Sequence, residues 1–248
     1  MKALITGGTS GIGLSIAKVL DEKGYDLILV GNNKSVDESL FKNKVKFIKL
    51  DLSKRDNCYK LYEMTKDEDI DVFINNAGFG LFGSFDETSL DTELNMIDVN
   101  ICAAHILMKL YLKDMIKKDR GYILNTASAA AFAYGPLLST YYSTKSYLYK
   151  LTLAIYEELK KKNSKVNVSV LCPGPVNTNF NDRANVTFTV KSLDSDYVGE
   201  YAVKKMFKKK LVIIPGLSVR LSKILLNLLP LKLVLKICYT FQKRKANY

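Results

Sequence analysis

Short apolar runs and amphipathic stretches alternate along the whole chain. Residues 2–6 form an apolar run that ends in a glycine-rich segment, after which Ile12, Ile16, Ala17, Val19 and Leu20 recur at helical spacing. Further apolar runs fall near residues 26–30, 45–50, 70–74, 121–127, 166–172 and 211–214, with helical patterns between them. Strands separated by helices predict one α/β domain, a doubly wound, mainly parallel seven-stranded sheet with helices on both faces. Ligands of such sheets bind beyond the carboxyl ends of the strands, where strand order reverses. The glycine-rich segment, Asp51, residues 75–78, Ser128 and Pro173 all follow predicted strand ends.

The pattern changes near the carboxyl terminus. Over residues 217–229, Leu221, Ile224, Leu225 and Leu228 keep i, i+3, i+4, i+7 spacing with Arg220, Lys223 and Asn227 interleaved, and Pro230 ends that helix. A second helix is predicted over residues 231–241, carrying Lys232 and Lys236 ahead of Lys243, Arg244 and Lys245. Of 37 Lys and Arg, 12 lie beyond residue 200 and 25 before it, where all 25 acidic residues also lie, so the whole formal +12 belongs to residues 201–248. Residues 1–215 thus read as the folded domain and 216–248 as a basic amphipathic extension. No run reaches about 18 apolar residues, so the extension should not span a bilayer. It could lie on an anionic membrane surface, or cover the subunit core or a dimer contact with its lysines solvated.

Composition narrows the chemistry. The chain has 248 residues, 48% of them hydrophobic, enough for a sizeable core. Cys58, Cys102, Cys172 and Cys238 show no metal or disulfide spacing, and Met1 opens directly into a strand rather than a signal peptide, so a reducing cytoplasmic setting is expected. His105 is the sole histidine, which argues against a histidine triad or a zinc site; its apolar helical run predicts a packing role.

Candidate chemistry lies in Ser128, thirteen residues ahead of Tyr141, with Lys145 one helical turn beyond. On a helix, Tyr141 and Lys145 share a face, and a neighbouring ammonium should lower the phenol's pKa enough for proton exchange near neutrality. Strand, glycine turn and helix in succession suit a dinucleotide: Gly7 for the tight turn, Gly11 for close backbone approach to a pyrophosphate, Gly13 for helix packing on strand. The helix amino terminus would offer N–H groups to the phosphates.

These landmarks resemble the classical short-chain dehydrogenase/reductase (SDR) family over about residues 1–215. The glycines are spaced Gly-x-x-x-Gly-x-Gly at 7, 11 and 13; Asp51 and Leu52, the run Asn75-Asn-Ala-Gly, Asn100, Ser128, Tyr141 with Lys145, and Pro173, Gly174 and Thr178 follow in order. The resemblance implies a Rossmann-type fold, an NAD(P)-dependent oxidoreductase acting on a carbonyl or secondary alcohol, and a homodimer or homotetramer with no metal and no nucleic-acid partner. It implies that Ser128 donates to the substrate oxygen, Tyr141 exchanges its proton, Lys145 holds the nicotinamide ribose, and Asn100 positions a water chain. It also implies cofactor contacts from Thr9, Ser10 and Ile12 in the turn, from Asp51 and Leu52 at the adenine, and from Asn75, Ala77 and Gly78 beneath the riboses. Pro173, Gly174, Val176 and Thr178 would lie beside the nicotinamide, with a substrate lid over residues 176–194. From the residues alone, Asp51 could equally cap the next helix and Asn75 could tie strands together.

At the end of the second strand stand Gly31, Asn32, Asn33 and Lys34, without the carboxylate that would bind an adenosine ribose and repel a 2′-phosphate. The two asparagines and the lysine could hold a phosphate, so NADP(H) is preferred, with NAD(H) possible. Phe79, Leu81, Phe82, Phe132, Leu137, Leu138, Phe180, Val186, Phe188 and Val190 on loops suggest a hydrophobic ketone or 3-oxoacyl-type substrate, or plain packing. Two rivals stand beside this reading: a non-catalytic nucleotide-sensing protein on the same fold, and a membrane-surface lipid reductase delivered by its tail.

Overall fold

The computed structural model describes residues 1–32, 36–178 and 192–244. Seven strands form one sheet: β1 (Lys2–Thr6), β2 (Asp26–Gly31), β3 (Val45–Lys49), β4 (Val72–Asn75), β5 (Tyr122–Thr126), β6 (Asn167–Leu171) and β7 (Val212–Ile213). Their order is β3-β2-β1-β4-β5-β6-β7 and every pairing is parallel. Strand order reverses between β1 and β4, which pair Ala3 with Val72 and Ile5 with Ile74. This is the Rossmann-type architecture the alternation predicts, and the near-continuous apolar runs follow from burial of both sheet faces.

Helices cover the two faces. On one, α1 (Gly11–Glu22) and α6 (Ser195–Phe207) bury Ile16, Leu20, Val198 and Met206 against Ile5, Leu29 and Leu124. On the other, α2 (Arg55–Glu63), α4 (Ala104–Lys118) and α5 (Ser139–Lys161) bury Leu61, Leu107, Met108 and Leu159 against Leu4, Phe73 and Ile123. Between α3 (Leu90–Ile97) and α4, residues Asp98–Ala103 take a π-helical turn, a widened geometry often found where a helix serves a site. Its buried polar residue is Asn100.

Beyond β7 the chain forms α7 (Leu217–Leu228) and α8 (Leu231–Lys243), with Pro230 capping the second. No helix among the described residues is long and apolar enough to cross a membrane. His105 on α4 is half-buried, its ring centre 6.2 Å from that of Tyr147 and its Nδ1 2.7 Å from the Tyr147 hydroxyl. All four cysteines are free, and no cluster of metal-ligating side chains occurs among the described residues.

Candidate active site

At the reversal of strand order, the loops leaving β1 to β6 surround a cavity of about 480 Å3. Its nucleotide-like end begins where β1 stops. Gly7 turns the chain at φ +63° and its N–H donates to Val30 O at 2.8 Å; Gly11 follows at φ +51°. The amino terminus of α1 has Ser10 as its cap without a side-chain bond, and no acidic residue in its first turn. Its leading N–H groups and positive dipole end therefore face the cavity ready for an anion. Gly13 lies behind this surface rather than on it. A Cβ there would come within 2.1 Å of Gly7 O and 2.6 Å of Asn76 Nδ2, so glycine at 13 is required by packing.

Asn76 binds the turn to β4. Its Nδ2 donates to Thr6 O and Gly7 O, both at 3.2 Å, while Thr6 Oγ1 accepts from the N–H groups of Asn76 and Ala77 at 2.9 and 3.0 Å. Asn75, the expected contributor, instead points into the core: its Nδ2 donates to Ala104 O at 2.8 Å and Asn125 Oδ1 at 3.0 Å. Adjacent residues on extended chain face opposite ways, so only one asparagine of the pair can line the crevice. Asp51 reaches the cavity wall with Leu52, and its Oδ1 also accepts from Ser53 N at 3.0 Å and Ser53 Oγ at 2.8 Å. Gly31 and Asn32 line the far end; Asn33 and Lys34 lie outside the described residues, as does most of the expected lid.

The other end carries the candidate chemistry. Ser128 leaves β5 with extended backbone and caps a short 3-10 turn, its Oγ accepting from Ala130 N at 3.1 Å. Its hydroxyl is hydrogen-bonded to the Tyr141 side chain. Tyr141 and Lys145 stand one turn apart near the start of α5, both buried and both lining the cavity. The Lys145 ammonium donates to Thr126 O at 2.9 Å and lies 5.9 Å from the centre of the Tyr141 ring.

The electrostatics differ from the sequence expectation. Burial pushes the Tyr141 phenol well above its usual range, with the Ser128 hydrogen bond working the other way. Burial also pulls the Lys145 ammonium down to about 8. Desolvation penalises whichever form is charged, so the phenolate and the ammonium are both disfavoured. Lys145 is committed to a backbone carbonyl, and the lowering of the phenol that its spacing suggested does not dominate.

Asn100 lies behind the cavity. Its Oδ1 accepts from Phe79 N at 3.1 Å, and its Nδ2 donates to Phe79 O at 2.9 Å and Thr144 Oγ1 at 3.1 Å. Thr144 Oγ1 in turn donates to Tyr141 O at 2.8 Å. The amide thus fastens the loop after β4 to the helix that carries Tyr141 and Lys145. Gly78 fits between them because a Cβ would meet Asn100 Oδ1 at 2.9 Å and Lys145 Nζ at 3.1 Å.

Of the other expected residues, Thr9, Ser10, Ile12, Ala77, Pro173, Gly174, Val176 and Thr178 all line the cavity. Sequence reasoning missed Asn76, Thr126 and Tyr142 as lining residues. Asn76 adjoins Asn75, and Thr126 ends β5 two residues before Ser128; no spacing singles out Tyr142. Thr126 Oγ1 is buried with no hydrogen-bond partner, a polar atom available at the cavity wall.

The profile of the family described as short chain dehydrogenase matches residues 1–187. An uncharacterized oxidoreductase of Staphylococcus aureus (strain MRSA252) is 30% identical over 224 residues, 88% of this chain and 96% of that protein. Among solved structures, a short-chain dehydrogenase from Sphingobium yanoikuyae in complex with NADPH matches with TM-score 0.82 at 25% identity, over 90% of this chain and 91% of that one. A short chain dehydrogenase/reductase from Burkholderia phymatum in complex with NAD has the same fold, with TM-score 0.80 at 21% identity over 91% and 92%. This chain belongs to the short-chain dehydrogenase/reductase family. It is an oxidoreductase of the CH–OH/C=O class that works with a nicotinamide cofactor.

Proposed function

We propose that this enzyme is an NADP(H)-preferring carbonyl reductase or secondary-alcohol dehydrogenase acting on a hydrophobic ketone or 3-oxoacyl-type substrate. The observation that carries the reading is the meeting of Ser128, Tyr141 and Lys145 on one wall of a cavity whose opposite end is a glycine turn and a helix amino terminus. Glycines 7, 11 and 13, the uncapped α1 terminus and the unpartnered Thr126 hydroxyl suit a dinucleotide laid across the reversal point.

A bound nicotinamide supplies or takes the hydride. The Ser128 hydroxyl donates to the substrate oxygen and stabilises charge that develops there. Tyr141 gives that oxygen its proton in reduction and takes it back in oxidation. A phenol held neutral by burial is suited to the donor role at neutral pH, and Lys145 holds sugar hydroxyls from the cavity floor.

The preference for NADP(H) rests on the end of β2, where Gly31 and Asn32 bring no carboxylate to oppose a 2′-phosphate. A hydrophobic substrate is supported by Phe79, Val99, Ala130, Leu138 and Tyr142, which line the Tyr141 end. Leu81 and Phe82 pack against the same cluster, whereas Phe132 stacks edge-on with Tyr149 and is engaged elsewhere.

The test is titration of the purified protein with NADPH and NADH, followed by absorbance loss across a panel of ketones and 3-oxoacyl thioesters. Tyr141→Phe should keep cofactor binding and lose about 10²–10⁴-fold in kcat/KM, the usual contribution of a positioned acid. Turnover by Tyr141→Phe at the parental rate would refute the assignment.

A further inference from the structure

The first of the two carboxyl-terminal helices carries its main apolar stripe on the side away from the core. On α7, the half-buried Val219, Lys223 and Leu226 face inward, and Val219 Cγ2 lies 2.9 Å from where a Cβ on Gly174 would stand. Lys223 itself is anchored: its Nζ donates to Tyr149 OH at 3.2 Å and sits 4.5 Å from the centre of the Phe132 ring. Opposite this anchored face runs an exposed stripe. Leu217, Leu221, Ile224 and Leu228 are 73%, 67%, 60% and 76% exposed, and helical spacing places them with Leu225 within about a 100° arc. A helix packed on a core turns such a stripe inward.

α8 adds charge. Val234, Cys238 and Gln242 are buried, and Gln242 Nε2 donates to the hydroxyl of Tyr142 on the cavity wall. Lys232, Lys236 and Lys243, at i, i+4 and i+11, share one stripe on the side of the helix turned away from them. None of these three takes part in an ion pair among the described residues, and no Asp or Glu follows Glu200 in the sequence.

We propose that the outward face of α7 and α8 docks this protein on an anionic lipid surface. The leucine stripe would enter the boundary between headgroups and acyl chains, and the lysine stripe would pair with lipid phosphates. A second copy suits the surface less well. It would hide the leucines but bring two sets of cations together with no acidic partner in either extension. Tyr142 and Gly174 belong to the cavity and touch the inward faces of α8 and α7, so the helices that carry the docking stripe also border the cavity. This inference rests on the hydrophobic-substrate reading above and gives it a source: a ketone dissolved in membrane.

Flotation of the full-length protein with vesicles of phosphatidylcholine alone, or mixed with phosphatidylglycerol, tests docking. Binding to the mixed vesicles is expected, much weaker binding to the neutral ones, and loss of about a hundredfold in partitioning for Lys232→Glu/Lys236→Glu/Lys243→Glu. Leu221→Ser/Ile224→Ser/Leu228→Ser should also release the protein while keeping its melting temperature. Absence of wild-type binding at low salt, or undiminished binding by the charge-reversed variant, overturns the proposal. So does a sedimentation dimer that the serine variant splits while vesicles bind nothing, which would make the stripe a seam between copies. NADPH binding and turnover of a water-soluble ketone, measured without vesicles, decide the reductase reading separately.

Discussion

The Lys145 ammonium is held at 2.9 Å by the carbonyl of Thr126, the last residue of β5. That bond fixes the cation on the cavity floor against Thr126, two residues ahead of Ser128 in sequence, while Lys145 itself stands one helical turn beyond Tyr141. It couples the central sheet to α5, so the three candidate catalytic groups are positioned by regular elements.

A charged lysine at this depth destabilises the fold in a pH-dependent way. The folded value of about 8 lies below the unfolded 10.5, so the cost is fully present below pH 8. Between pH 8 and 10.5 the unfolded chain binds more protons, and stability rises with pH, by roughly 3 kcal/mol across the window. Cys58 and Cys172, pushed up by burial to about 11 and 12, act in the opposite direction; Cys58 does so equally in wild type and variant, and Cys172, which Lys145 lowers slightly, stays a thiol in the folded state at both pH values used below. Urea unfolding of wild type and Lys145→Met at pH 7.5 and 10 isolates the lysine. Lys145→Met should hold its advantage only at the lower pH; a pH-independent difference would show that the ammonium is not desolvated as described.

Glycine at position 13 answers to packing. Gly13→Ala would force a methyl to 2.1 Å from Gly7 O, and overpacking of this kind costs about 1–3 kcal/mol. Gly24→Ala meets nothing within 4 Å and bears only the strain of φ +80°, about 1 kcal/mol. Denaturation midpoints should follow that order, and NADPH fluorescence titration should show binding lost in Gly13→Ala and retained in Gly24→Ala. Equal affinity in the two variants would remove the turn from the binding site.

Much of this fold was legible because burial on both faces leaves strands such as Leu27-Ile-Leu-Val as unbroken apolar runs. The glycine turn and the Ser128, Tyr141 and Lys145 spacing were legible because each follows a strand end or repeats at one helical turn. What escaped depends on long-range packing. Whether Asn75 or Asn76 faces the crevice is a matter of pleat parity at the last residue of β4, which sequence does not mark. The direction of the Tyr141 shift is set by desolvation from distant elements. The period of Leu221, Ile224 and Leu228 is the same whether that face turns inward or outward, so only the structure assigns it.

Asn100 should matter first as a brace. Asn100→Ala removes the hydrogen bonds that the amide makes to the Phe79 N–H and C=O, at about 0.5–1.5 kcal/mol for each. Because Thr144 bridges Asn100 to the Tyr141 carbonyl, Asn100→Ala and Thr144→Val should couple by about 0.5–3 kcal/mol in a double-mutant cycle of unfolding free energies. Strict additivity would separate the loop after β4 from α5 and leave Asn100 a purely local role.

Cofactor preference can be inverted at one residue. Gly31 lines the cavity at the end of β2, and a Cβ there would lie 3.1 Å from Thr9 Cγ2 and 3.6 Å from Phe47, tight but relieved by a small shift of the threonine. Aspartate at this point would accept from ribose hydroxyls and oppose a 2′-phosphate through like charge. Gly31→Asp should lower kcat/KM for NADPH by at least about tenfold, one lost charge-assisted contact, and raise it for NADH. Steady-state rates with both cofactors on one ketone give the ratio directly. If wild type already favours NADH, or if Gly31→Asp leaves the ratio unchanged, the adenosine ribose is recognised elsewhere and the NADP(H) preference is wrong.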